Sequence, residues 1–373
     1  MSASESATAL LPATKTTEWL LREGASIATP GVMLEEICSR LMAEAVPVET
    51  AVLKIASLDP LVAITRLRWE SRQRRVIEEV TLHGMPTLEE RTEDNSVIHI
   101  GLPGSGHEVE WMPRRPGSFT PRQRIYLEAI SLAMAAPLQV VVGRQTTRTL
   151  LRAYLGRRSA DKVLDGTVRR GIGEMIEAVI WISDLRDFTV LSERLSPEQV
   201  IVALDDCCAR LVGAIHPFGG EVLKFIGDGL LAIFPLKPRG TGAASAAALA
   251  AVRAARQGMA RLDEQRERNG LPPLPFGVAL HLGAVMYGNI GAADRLDFTA
   301  IGPAVNLTSR IEELCRSLQC PVLISEALAR ECSESLAPIG QHEIRGSQDT
   351  VTLFTLPEVA AVGSRPTNDS VSN

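Results

Sequence analysis

A chain of 373 residues, 45% of them hydrophobic, is long enough for two or three domains with packed cores of their own. Its formal net charge of −5 provides no basic footprint for nucleic acid, so DNA and RNA are not expected partners. The six cysteines, at positions 38, 207, 208, 315, 320 and 332, lack paired CxxC spacing, and no basic stretch leads into an apolar one at the N-terminus. Reduced thiols and a cytoplasmic location are therefore expected.

Taken in chain order, residues 1–16 are rich in Ser, Ala and Thr and are expected to form a disordered tail. Residues 17–45 read as helix interrupted near Pro30-Gly31, with Trp19, Leu20, Leu21, Leu34, Ile37, Leu41 and Met42 as buried candidates. Strands are predicted at 50–55, 63–69, 76–82, 97–102 and 107–112. A helix enters at Thr120-Pro121 and runs towards Pro137. The apolar stretch at 130–142 contains Ser131, Pro137 and Gln139 and is too short to cross a bilayer, so no integral membrane contact is expected.

Three features here have plain structural readings. The glycines at 101–106 come with no lysine and precede a strand, which favours a hairpin over a phosphate loop. Arg66, Arg68, Arg72, Arg74 and Arg75 are interleaved with Glu70, Glu78 and Glu79, as on a solvated hairpin. His83, His99 and His107 are too scattered to argue for a metal site. The layout of residues 17–138 resembles a shortened GAF-like sensor domain, which implies an unknown small-molecule or protein signal. Residues 139–175 read as a helical linker, with Leu150, Leu151, Tyr154 and Leu155 on one side, able either to transmit motion or to act as a passive spacer.

The second half opens on a short apolar run at 178–182, broken by a polar segment that leaves Asp184 at a strand end. A helix from Pro197 to about His216 follows, with Val200, Ile201, Leu204, Cys208, Leu211 and Ile215 at helical spacing, and Gly219-Gly220 stops it. Two apolar runs at 221–226 and 230–234 flank Gly227-Asp228-Gly229, a tight hairpin with a carboxylate at its tip. Carboxylates on neighbouring strand ends can hold two divalent cations about 3.5–4 Å apart, the arrangement that clamps attacking and leaving oxygens in phosphoryl chemistry. Asp-Gly equally makes such a turn with no ligand at all. Further on come an Ala-rich helix at 243–267, a strand at 276–282 ended by 283–288, a helix at 304–318, a strand at 321–324 and a short helix from Glu326. Strands near 342–344 and 351–356 close the unit, and 357–373 is expected to be a disordered tail. Asn306 and Arg310, four apart, project from one helix face.

The segments ISDLRDFTVLSERL, GGEVLKFIGDGLLAIFP and RLDFTAIGPAVNLTSRIEEL, in that order across residues 179–356, resemble the catalytic domain of class III nucleotidyl cyclases. The resemblance implies a mixed α/β (α+β) fold, a ferredoxin-like catalytic domain over 176–356, behind the smaller GAF-like domain and the helical linker. It also implies an adenylate cyclase that converts ATP to 3′,5′-cyclic AMP and pyrophosphate with two Mg²⁺ or Mn²⁺ ions per site, as a homodimer with shared sites. Asp184 and Asp228 match the metal-binding aspartates, with the Leu185 carbonyl as an added ligand. Asn306 matches the ribose-orienting residue, Arg310 the α-phosphate donor, Lys224 and Thr299 the adenine-selecting pair, and Arg345 a contact to the terminal phosphates. Asp187 stands where the family has glycine and is expected to cap a loop rather than bind metal, and Pro303 stands where aspartate or asparagine is common. The competing readings are a guanylate or diguanylate cyclase and a cyclase-shaped nucleotide-binding regulator of weak activity.

Overall fold

The computed structural model describes residues 14–56, 62–85, 96–117, 119–166, 171, 173–292, 294–345 and 350–363. They form two compact units, Met1–Tyr154 and Leu155–Asn373. The expected tail at 1–16 lies mostly outside the described residues, but Lys15 already opens a helix whose N-cap, Thr14, accepts from the Thr17 amide at 3.2 Å.

The first unit comprises α1 (Lys15–Glu23), α2 (Pro30–Ala43), β1 (Val48–Ala56), β2 (Val62–Glu70), β3 (Arg75–Leu82), β4 (Ile98–Gly101), β5 (Glu108–Pro113) and α3 (Pro121–Leu155). The strands form an antiparallel sheet in the order β3-β2-β1-β5-β4. Period-two alternation sends Ala51, Leu53, Trp69, Val109 and Trp111 into one core with Leu34, Ile37 and Leu41 of α2 and Ile130, Met134 and Leu138 of α3. Within it the Trp111 indole N–H donates to Ser131 Oγ at 2.9 Å, so the one polar edge of that ring is satisfied. The β2–β3 hairpin is the solvated one expected, Arg68 pairing with Glu70 at 3.7 Å and Glu79 at 3.5 Å.

Three expectations fail here. Leu21 is 66% exposed, because only the helix stripe through Thr16, Thr17 and Leu20 is buried. Nor does Pro137 end a helix: α3 runs unbroken for 35 residues. A proline removes one helical hydrogen bond, and here its buried ring packs so closely on Gly24 that a Cβ there would sit 2.8 Å from Pro137 Cβ. The continuous helix is therefore long and apolar enough to cross a membrane by length and composition, contrary to the estimate from 130–142 alone. Its apolar side, through Leu127, Ile130, Met134 and Leu138, is packed in the core of its own unit.

The second unit starts with α4 (Arg157–Leu164), followed by β6 (Gly173–Leu185), α5 (Phe188–Arg194), α6 (Pro197–Ile215), β7 (Glu221–Ile226), β8 (Gly229–Pro235), α7 (Thr241–Arg268) and β9 (Phe276–Gly291). The β6–α–β7–β8–α–β9 segment lies in the sheet order β9-β6-β8-β7 with every neighbour antiparallel, which is the ferredoxin-like arrangement. Then come β10 (Leu296–Ile301), α8 (Pro303–Ser317), β11 (Val322–Ser325), α9 (Glu326–Ala329), β12 (Ala337–Glu343), β13 (Thr350–Thr355) and α10 (Pro357–Gly363). Strands β11, β13 and β12 extend the sheet beyond β9.

One sheet face carries the larger core, in which Val179, Trp181, Ala232 and Phe234 meet Ala203, Cys207 and Leu211 of α6 and Ala248, Val252 and Ala255 of α7. The other carries a smaller core of Ala178, Ile180, Leu223, Leu231, Ile233, Val285, Tyr287, Phe298 and Ala300. Three corrections concern this unit. The glycines at 283–288 do not end β9, because β6 continues to pair through Gly173↔Gly288 and β10 pairs from Ile301↔Met286 on its other edge. The buried stripe of α6 passes through Ala203, Cys207, Leu211 and Ala214, leaving Ile201 60% exposed. The tail expected from residue 357 begins as a helix with Val359 buried, held where Arg253 of α7 bonds Glu358 at 2.7 Å and, bidentately, Glu334 at 3.0 and 2.7 Å.

Candidate active site

Asp184 is the penultimate residue of β6, flanked in register by Gly277 on β9 and, next to it, by the β7–β8 hairpin. That hairpin has a two-residue loop, Gly227-Asp228, between Ile226 and Gly229. Gly227 takes φ +62° at the first loop position and Asp228 does not take positive φ, the II′ pattern that matches strand twist. The turn brings Asp228 within hydrogen-bonding reach of the Asp184 carboxylate. Gly229 permits this approach, since a Cβ there would lie 2.5 Å from the Ser183 carbonyl oxygen and 2.8 Å from Asp184 Oδ1. Burial, and then the neighbouring negative charge of Asp228, push the Asp184 carboxyl up to about 6, against relief from the Leu185 amide and Arg186.

Such a carboxylate pair is a divalent-cation donor set awaiting positive charge. Among the described residues no group of three or more His, Cys, Asp or Glu is arranged to hold a metal unaided. A cation at Asp184 and Asp228 would thus complete its shell with other oxygens, such as the Leu185 carbonyl, water and phosphate, and the residues fit that role. Asp187 sits at the N-cap of α5 with φ +54°, makes no side-chain capping bond, and pairs with Arg316 of α8. Its charge is compensated by that pairing.

Sequence reasoning missed two residues beside the pair. Arg186 and Glu312 both crowd Gly277, where a Cβ would fall 2.6 Å from Arg186 Nη2 and 2.7 Å from Glu312 Oε1. Burial, with the added charge of Asp184, pushes Glu312 up to about 7. Glu312 lies two residues beyond Arg310, within the quoted motif, but a spacing of two does not place it on the Asn306/Arg310 face.

The remaining predicted residues lie on other elements. Lys224 of β7 pairs with Asp297 of β10 at 3.5 Å, a partner that sequence spacing did not indicate. Thr299 of β10 is 3% exposed, and its Oγ1 is buried with no hydrogen-bond partner among the described residues. Asn306 is exposed on α8, and among the described residues no hydrogen bond or ion pair engages Arg310. Pro303 is accommodated in the first turn of α8, as its missing N–H allows. Arg345 is exposed just after β12, at the sheet edge opposite β7. The structure therefore gathers the metal-type carboxylates at one place, and among the described residues neither Asn306 nor Arg310 bonds to them.

The adenylate and guanylate cyclase catalytic domain model matches residues 174–357. An adenylate cyclase of Anabaena cylindrica is 35% identical over 184 residues, 47% of this chain and 36% of that protein. This chain thus spans about a third of that relative's length. Among solved structures, the guanylyl cyclase Cya2 aligns at 29% identity and a TM-score of 0.44, covering 49% of this chain and 92% of that one. A bacterial light-regulated adenylyl cyclase shares the fold over 70% of this chain and 86% of its own, at 21% identity and a TM-score of 0.51. Residues 174–357 of this chain belong to the family of adenylate and guanylate cyclase catalytic domains.

Proposed function

We propose that this chain is an adenylate cyclase that makes 3′,5′-cyclic AMP and pyrophosphate from ATP at sites shared within a homodimer. The observation that carries the choice of base is the buried hydroxyl of Thr299, without a partner among the described residues, set on the strand that also bears Asp297, the partner of Lys224. A buried polar atom without a partner is costly unless a ligand completes it. An ammonium donating to adenine N1 and a hydroxyl accepting from the N6 amine suit adenine, whereas guanine presents the reverse pattern. Guanylate cyclases share the family, and base discrimination is the property on which the two readings part.

In the reaction the ribose 3′-oxygen attacks the α-phosphorus, the bond to the pyrophosphate oxygen breaks, and the hydroxyl proton leaves. Bound Mg²⁺ or Mn²⁺ would ease that deprotonation and offset charge on the triphosphate. Asp184 and Asp228, with the Leu185 carbonyl, would hold it. Asn306 orients the ribose, Arg310 donates to the α-phosphate as charge accumulates, and Arg345 meets the terminal phosphates. A second protomer would bring its Asn306 and Arg310 to the aspartates, to which neither residue bonds among the described residues. Phe225 and Ile226, each 54% exposed beside the Asp228 turn, are apolar surface suited to that second copy. The first unit, with its helices on one sheet face, is read as a GAF-like sensor whose signal regulates turnover.

The test is product identification after incubating purified protein with ATP or GTP and a divalent cation. Cyclic AMP should dominate, and exchanging Lys224→Glu with Thr299→Cys should shift preference towards GTP. An unchanged preference in the folded double variant removes the assignment of these two residues.

A further inference from the structure

The short helix α4, the first element of the second unit, is bonded into the region that carries the base-reading pair. The Ser159 amide donates to Glu221 Oε1 at 3.2 Å. Ser159 Oγ lies 3.0 Å from Tyr287 Oη, and Tyr287 Oη donates to the same Glu221 oxygen at 3.3 Å. Since the tyrosine proton is directed at Glu221, the serine hydroxyl is the donor to Tyr287, and the three residues close a ring of hydrogen bonds. All three are buried. Arg158 and Lys162, from the same helix, lie 5.3 and 5.6 Å from the centre of the Tyr287 ring. At the start of α4, Gly156 takes φ +78° and approaches β7 so closely that a Cβ would be 3.1 Å from the Val222 carbonyl oxygen.

Glu221 lies on β7, which carries Lys224, and Tyr287 lies on β9, which pairs with β10, the strand that carries Thr299. In β7, pairing with β8 shifts register between Val222 and Lys224, so Glu221 faces Ile233 while Lys224 faces Leu231. A regular strand would put residues three apart on opposite faces, and this bulge puts Glu221 and Lys224 on one. The direction of the Lys224 side chain thus depends on a bulge whose N-terminal anchor is Glu221, held by Ser159. Tyr287 does the same for β10: its ring meets Phe298, the residue before Thr299, edge-on at 4.8 Å between centroids. Its hydroxyl end is tied to β7 and its ring to β10.

We propose that Ser159, Tyr287 and Glu221 are positioning residues for the purine base, through which α4 sets the separation of Lys224 and Thr299. The proposal rests on the base-reading role given to that pair above. Substitution of Tyr287→Phe keeps the ring and removes the hydroxyl, and Ser159→Ala opens the ring of bonds from the other side. Each is expected to narrow the ratio of kcat/KM for ATP over GTP by about 3–10-fold, with KM for ATP changing more than kcat. The double variant should be scarcely worse than either single one, because both break one network. Hydrogen exchange on the full chain supplies a readout free of turnover: amides of Glu221–Ile226 and Leu296–Ile301 should exchange faster in both variants, with β6 unaffected. Equal losses for ATP and GTP, or wild-type protection in both strands, would overturn the proposal by reducing the three residues to a stability role. Should the wild-type protein show no ATP preference, the adenine reading fails, and exchange alone decides the positioning role: faster exchange in both strands upholds it, and unchanged exchange overturns it.

Discussion

Asp184 carries a stability cost that separates a functional carboxylate from a packing one. Its folded-state value of about 6 exceeds the ordinary 3.8, so between those limits the folded chain binds more protons than the unfolded one. The stabilising contribution is complete below 3.8 and is lost as pH rises through 6, so at pH 7.5 the metal-free protein bears the whole penalty. Asp184→Asn should therefore raise the metal-free melting temperature by a few degrees, about 1 kcal/mol once partial solvent screening is allowed for, while kcat falls at least about 100-fold. Mg²⁺ should raise the melting temperature of the wild type and leave that of the variant unmoved; a variant that loses stability together with activity would make Asp184 a structural residue. Thr299→Val follows the same logic. It removes a buried hydroxyl that has no partner among the described residues, so the ligand-free melting temperature should hold or rise while KM for ATP increases. These residues were legible because they sit inside contiguous motifs at strand ends and on one helix face. Glu312, Asp297 and Ser159 were not, since each acquires its role from a neighbour far along the chain, and no local spacing encodes that.

At the scale of elements, strand β9 shows where local signals mislead. Glycines at 283 and 288 read as a terminus, yet backbone pairing carries the strand on, with β6 as far as Gly288 and with β10 as far as Gly291, and tertiary pairing outweighs propensity there. Pro137 misleads in the same way within α3. The β7–β8 hairpin, by contrast, was legible to within a residue, because turn chemistry is local. In the middle of β9, His281 accepts or donates at 2.8 Å to Ser325 Oγ and is pushed down to about 4 by burial. A depressed histidine contributes stability that is complete above its unfolded value of 6.5 and is lost as pH falls towards 4. Between pH 7 and pH 5 the wild type should lose about 2 kcal/mol through this group. Glu312 and Asp184, both raised, act in the opposite sense over part of that range, so the comparison must be with His281→Asn rather than with an absolute value. Urea unfolding at the two pH values should show a smaller loss in the variant, and an equal loss would remove His281 as the acid-sensitive group.

For the whole molecule the question is whether one chain can hold a complete site. The charges acting most strongly on Asp184 are Asp228 and Arg186, with Arg310 not among them, although Arg310 is the group assigned to the reacting phosphate. A site that needs both can be closed by a second copy, the Asp184 and Asp228 of one protomer facing the Asn306 and Arg310 of its partner, and a two-fold axis then makes two such sites. Asp228→Ala and Arg310→Ala should each be nearly inactive alone. When they are mixed under conditions that exchange subunits, the heterodimer gathers both lesions in one site and leaves the other intact. Random exchange makes half of the dimers mixed, each with one of two sites working, so activity should return to about a quarter of wild type. Measured turnover against mixing ratio should pass through a maximum at equal amounts. If heterodimers form, as followed by tagged subunits, and turnover stays at the level of the single variants, the site lies within one chain.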